Sequence, residues 1–261
     1  MRVCCRFVRR GRAVKQFVVV QHTYSEFLGT IENQLEKRDI GFIYFRPFVG
    51  QDLPGSAGQF DALFLLGGSH PTADREACPW VDDELRLIGV FRQARRPIVA
   101  FGFGALLLAE HEGARISATP LHTGYWTTGH RTAAGSGDAL AEAVDGRRLL
   151  VLYNGSAALP AGMEPIVVDD DGNWLAVRPQ NESYGMLFRP EIKPGMIEDM
   201  IMEAKRPVPD NIGDLLAEAR REWKGMEETK DRVIVALVKE LDLMQERHKM
   251  PVFRLNVPDN S

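Results

Sequence analysis

The chain is poor in cysteine, in basic excess and in long apolar runs. Of its 261 residues only three are cysteine: Cys4, Cys5 and Cys78. Adjacent cysteines pair badly, and no C-x-x-C spacing offers a zinc ligand set. A disulfide-stapled scaffold is therefore excluded, and reduced thiols in a cytoplasm fit best. Cys78 precedes Pro79-Trp80 at a helix entry, where a small buried residue is expected rather than a nucleophile. With 32 basic and 36 acidic residues the net charge is −4, so no basic field invites nucleic acid. No apolar run approaches the roughly 20 residues that span a bilayer. The H-E-x-x-H spacing of zinc hydrolases is also missing, and no internal repeat or low-complexity tract is evident. Neither a metal nor a cofactor is implied.

What is present is an ordinary globular composition, 44% hydrophobic and 26% charged, with length for one large domain, or for one domain plus an appendage. Residues 1–15 begin with a basic stretch, Met1 to Arg12, that lacks the apolar core of a secretory leader. They read as a disordered extension or an overlong start. From Gln16 onward, short apolar runs alternate with helical patterns. Strands are expected at Gln16–Gln21, Phe42–Phe45, Ala62–Leu66 and Ile98–Phe101. Thr23 with Glu26 offers a capping box for a helix through Arg38. Pro79 suits the first turn of a helix carrying Val81, Leu85, Ile88 and Phe91. A further helix is expected over Phe103–Glu110. Alternation of this kind argues for a parallel sheet covered on both faces.

Further on, Leu149–Leu152 is strand-like. Pro165–Val168 and Trp174–Val177 flank an Asp171-Gly172 hairpin turn. Asp169, Asp170 and Asp171 lack the following Glu of a calcium loop, so they read as part of that turn. A helix opens at Pro194 and runs to about Ala204. Residues 206–211 form a Pro-rich linker, and residues 206–261 a helical extension with segments at about Ile212–Lys224 and Lys230–Arg247. Val233, Leu237, Leu241 and Met244 recur there at helical spacing, beside Ile234 and Val238. That stripe either packs on the chain's own domain or forms a surface for a protein partner or a second copy.

Two segments carry chemistry. Pro97-Ile98-Val99-Ala100-Phe101-Gly102-Phe103-Gly104 reads as a buried strand, a tight turn and a helix start. Tyr184-Gly185-Met186-Leu187-Phe188-Arg189-Pro190-Glu191 reads as a strand ending in a polar cluster. With Leu65-Leu66-Gly67-Gly68-Ser69-His70-Pro71, and with Pro79-Trp80 and Asp83-Glu84-Leu85 after it, residues 16–205 resemble the class I glutamine amidotransferases. The likeness is to members similar to the glutaminase half of GMP synthase. It implies a three-layer αβα, flavodoxin-like fold with a mainly parallel sheet.

The same resemblance implies a site. In that family a cysteine in a G-x-C-x-G turn attacks the glutamine amide, a histidine in F-H-P-E moves the proton, and an acid orients the histidine. Here the nucleophile position is Gly102 and the base position Arg189, while Glu191 keeps the acid. A frequent family glutamine is replaced by Leu106, and a histidine-containing segment by Tyr153-Asn154-Gly155-Ser156. The expectation is a chain without glutaminase activity that serves in binding, regulation or assembly. The backbone of Gly67, Gly68, Ser69, Phe103 and Gly104 would then join Arg189 in holding a small carboxylate or phosphate. Alternatively, Arg189 pairs with Glu191 and closes the pocket. A different chemistry would be that of a hydrolase or transferase, with Ser69 as nucleophile and His70, His122 or His130 as base, Tyr125 lying in the same segment.

Overall fold

A computed structural model of the chain describes residues 15–70, 74–117, 122–203 and 208–243. The basic segment with Cys4 and Cys5, Pro71, part of the expected linker, and Met244 to Arg247 lie outside them. Four of the expected apolar runs become parallel strands: β1 (Gln16–Val20), β2 (Gly41–Phe45), β3 (Ala62–Leu65) and β4 (Ile98–Phe101). Between them come α1 (Ile31–Glu36) and α2 (Val81–Gln93), and after β4 follows α3 (Phe103–His111). The middle of the chain forms β5 (Arg115–Ile116), β6 (His122–Thr128), β7 (His130–Arg131), α4 (Ala139–Val144), β8 (Arg148–Asn154) and β9 (Ala157–Ala158). Then come β10 (Pro165–Val168), β11 (Trp174–Gln180), β12 (Ser183–Met186), α5 (Pro194–Met202), α6 (Ile212–Arg221) and α7 (Trp223–Glu240).

The central sheet has eight strands in the order β2-β1-β3-β4-β12-β11-β10-β7. Neighbours from β2 to β12 are parallel, and those from β12 to β7 antiparallel. The fully buried strands β3 and β4 carry no polar residue, as expected where helices cover both faces. Adjacent residues of β12 identify the two layers. Gly185 lies against Ala105 and Leu108 of α3. Tyr184 points the other way, its hydroxyl donating to Asp138 at the cap of α4 at 2.7 Å. The α/β three-layer reading therefore holds, with an antiparallel extension that makes the sheet mixed.

Two local expectations change, and one left open is decided. Thr23 does bond the Glu26 amide, at 3.2 Å, yet no helix starts there. The Leu28 amide donates to the Tyr44 hydroxyl and Gly29 takes a left-handed φ of 55°, so α1 begins only at Ile31. At the other end of the chain the helical break falls at Glu222, and α7 runs unbroken through residues 225–229. The apolar stripe packs inward: Val233, Ile234, Leu237 and Leu241 all belong to the main core. That stripe is thus spent on the chain's own domain, and the surface that α7 leaves outward is different.

Candidate functional site at the carboxyl ends of the parallel strands

The loops after β1, β3, β4 and β12 converge at one end of the sheet, where open α/β sheets bind their ligands. After β4 the chain turns sharply at Gly102, with φ 51° and ψ −112°, a conformation that costs an L-residue strain. The turn is fixed on both sides. The Gly102 amide donates to the Met186 carbonyl at 2.8 Å, and its own carbonyl accepts from Leu106 at 3.1 Å.

Arg189 lies directly opposite and is 2% exposed. Its Nε donates to Glu191 Oε1 at 2.6 Å, and its Nη1 to Glu26 Oε1 at 2.9 Å and to the Leu152 carbonyl at 3.2 Å. The guanidinium rests on the backbone of Gly67 so closely that a Cβ there would fall inside it. A Cβ added at Gly102 would meet Leu152 O at 3.1 Å, Arg189 Nη1 at 3.2 Å and Arg189 Cδ at 3.3 Å. Two side-chain-free positions, one after each central strand, thus make the seat in which the arginine lies.

Electrostatics follows from this geometry. Burial works against the arginine's charge, but Glu191 and Glu26 outweigh it and hold its pKa above the ordinary value. Burial pushes the Glu191 carboxyl up, and the neighbouring Glu26 adds to that, against the pull of Arg189. One guanidinium therefore serves two carboxylates, and the cluster carries no surplus positive charge for an anion.

Beneath the glycine pair lies His22, fully buried against the ring of Phe103 at 4.6 Å between centroids. Its Nε2 is 2.8 Å from Glu84 Oε2 and its Nδ1 3.1 Å from the Gly67 carbonyl. Its own carbonyl accepts from His70 Nε2 at 2.7 Å. His22 thus ties β1, the glycine loop and α2 together.

The expected residues sort clearly. Gly67, Gly68, Ser69, Gly102, Phe103, Arg189 and Glu191 meet at one place. Gly104 is there too, but its amide is committed to the Leu66 carbonyl at 3.0 Å, leaving it no donor for a ligand. Ser69 and His70 do not form a nucleophile–base pair, because His70 is turned to the His22 carbonyl. Tyr125 bonds Asp169 at 2.9 Å and His130 bonds Asp170 at 2.7 Å, both at the hairpin turn. The side chain of His122 lies outside the described part. Among the described residues, no group of three or more His, Cys, Asp or Glu is placed to hold a metal, and no helix is long and apolar enough to cross a membrane.

Glu26, His22 and Asn154 were not foreseen in these roles. Glu26 is recognisable only as a capping residue. His22 stands alone in an apolar context and gives no pattern. Asn154 donates to the Ser69 carbonyl at 3.1 Å, a contact 85 residues apart in sequence.

No protein-family model matches the chain. Its fold recurs in a glutamine amidotransferase from Methylobacillus flagellatus, with TM-score 0.73 and 18% identity, covering 91% of this chain and 99% of that one. It recurs also in a glutamine amidotransferase from Thermotoga maritima, with TM-score 0.71 and 18% identity, covering 88% of this chain and all of that one. The chain has the class I glutamine amidotransferase fold. In sequence it is similar to the glutamine amidotransferase-like protein YfeJ of Salmonella typhimurium, 33% identical over 104 residues. That stretch is 39% of this chain and 44% of the relative, so the match spans less than half of the curated protein.

Proposed function

We propose that this chain is a glutamine amidotransferase-like protein that does not hydrolyse glutamine and acts instead as a binding, regulatory or assembly subunit. The observation that carries this reading is the seat of Arg189 between Gly67 and Gly102. Acyl transfer from an amide needs a nucleophile and a base at that point. Glycine supplies no nucleophile, and a guanidinium keeps its proton at any physiological pH.

The same geometry favours closure over ligand capture. Arg189 already faces two carboxylates, and the recess beside it measures about 10 Å³, room for roughly one water. A small carboxylate or phosphate would have to displace Glu26 or Glu191 and pay to desolvate a second anion. Protein partners, or a second copy of the chain, are therefore the binding we favour, through surfaces other than the buried stripe of α7. A reducing cytoplasm is the compartment we propose, on cysteine usage alone. Titration calorimetry with glutamate and with inorganic phosphate is expected to give no saturable heat. Saturable binding that disappears in Arg189→Ala would overturn the closed reading and restore an anion site.

A further inference from the structure

The recess beside Arg189 is lined by residues that carry unpaired buried polar atoms. Arg189 Nη2, Ser69 Oγ and Asn154 Oδ1 are buried and have no hydrogen-bond partner among the described residues. All three residues line the recess, with Gly68 and Tyr153 beside them and Met200 and Pro209 among the other walls. Each residue is at least nine-tenths buried: Arg189 is 2% exposed, Asn154 2% and Ser69 9%. A buried polar atom left unpaired is costly, and three on the residues around one small space is more than a folded chain commonly leaves unmet.

From the arrangement we infer that this recess is a binding site for one neutral, water-sized molecule that both donates and accepts hydrogen bonds, namely a single structural water. The chemistry matches group by group. Arg189 Nη2 can only donate, so it needs an acceptor. Asn154 Oδ1 can only accept, and its orientation is set because the amide nitrogen of the same side chain donates to the Ser69 carbonyl. Ser69 Oγ can do either. A water accepts from Arg189, donates to Asn154 and completes a third bond with Ser69, which is the usual number for a buried water.

Size and charge exclude the other candidates. A recess of about 10 Å³ is at the lower limit for one water and below what a carboxylate or phosphate needs. The two glutamates bound to Arg189 disfavour any anion. This inference goes beyond the loss of glutaminase activity, and would stand even if that activity were found. Its consequence is that the Ser69 side chain is joined to Arg189 Nη2 and Asn154 Oδ1 through a solvent molecule, in addition to the direct bond from the Asn154 amide to the Ser69 carbonyl.

The test is a crystal structure at about 1.5 Å, where ordered buried waters are visible, paired with oxygen-17 relaxation dispersion, which counts long-lived waters in solution. The expected result is one round density peak within hydrogen-bond distance of Arg189 Nη2, Ser69 Oγ and Asn154 Oδ1. In Ser69→Val, which fills the recess with methyl groups, the peak should vanish and the count of long-lived waters should fall by one. Wild-type crystals with no peak, or with elongated density for a larger molecule, would overturn the inference. So would an unchanged count in Ser69→Val. Should Ser69→Val not fold, the wild-type density alone decides.

Discussion

Gly102 and His22 show how much of this site depends on single residues. At Gly102 a positive φ combines with a Cβ position that would be within 3.1–3.3 Å of Leu152 and Arg189. Gly102→Ala should therefore destabilise the fold by about 1–3 kcal/mol, the usual cost of a strained non-glycine backbone, as read from urea unfolding. An unchanged midpoint would mean that the turn is relaxed in solution. His22 gives a pH dependence. Burial alone lowers its pKa, but Glu84, the bond to Gly67 and the charge of Glu26 outweigh that and raise it above the ordinary 6.5. A raised folded-state pKa means that the folded chain holds the proton more tightly than the unfolded one. The contribution of His22 is then complete below about pH 6.5 and fades as pH rises through the higher folded value. The stability gap between wild type and His22→Gln should narrow over that interval, and a gap that widens with pH would contradict the assignment. Neither Gly67 as a seat nor His22 as a tie could be read from the chain, since both depend on contacts between loops far apart in sequence. That Gly102, Arg189 and Glu191 meet at one place was legible, because a known motif order puts them in register.

At the scale of elements, the strands were easier to foresee than the helix ends. Strands β3 and β4 are short, continuous apolar runs bounded by polar or turn residues, and such runs leave few alternatives. The Thr23–Glu26 pattern misled because Thr23 accepts from the Glu26 amide as a cap would, while its hydroxyl donates to the Glu26 carboxylate and steadies it for Arg189. Local chemistry was right, but its tertiary use was not visible. The stripe of α7 had two readings that periodicity alone could not separate, since an apolar face looks the same whether its partner is the same chain or another. Leu237 is 1% exposed in the main core. Leu237→Ala should therefore cost about 2–5 kcal/mol at any protein concentration. A loss that appears only at concentrations where a dimer would dissociate would assign the stripe to an interface instead.

For the molecule as a whole, the layered sheet makes the fold independent of the side chains at its carboxyl end. The core of β1, β3, β4 and β12 is held by apolar burial and backbone bonds that do not involve the groups at its carboxyl end. On the proposed reading, a reactive pair can give way to a glycine and a buried ion cluster while the frame stays intact. A buried cluster of this kind is hard to disturb one residue at a time, because removing one partner strands the others and costs about 3–5 kcal/mol. The most direct measurement is ammonia release from glutamine by the purified protein. The account predicts a rate no higher than that of buffer without protein, and the same for Gly102→Cys, because Arg189 still fills the space before the turn. Release above that background by the wild-type chain, or its appearance on Gly102→Cys alone, would contradict it.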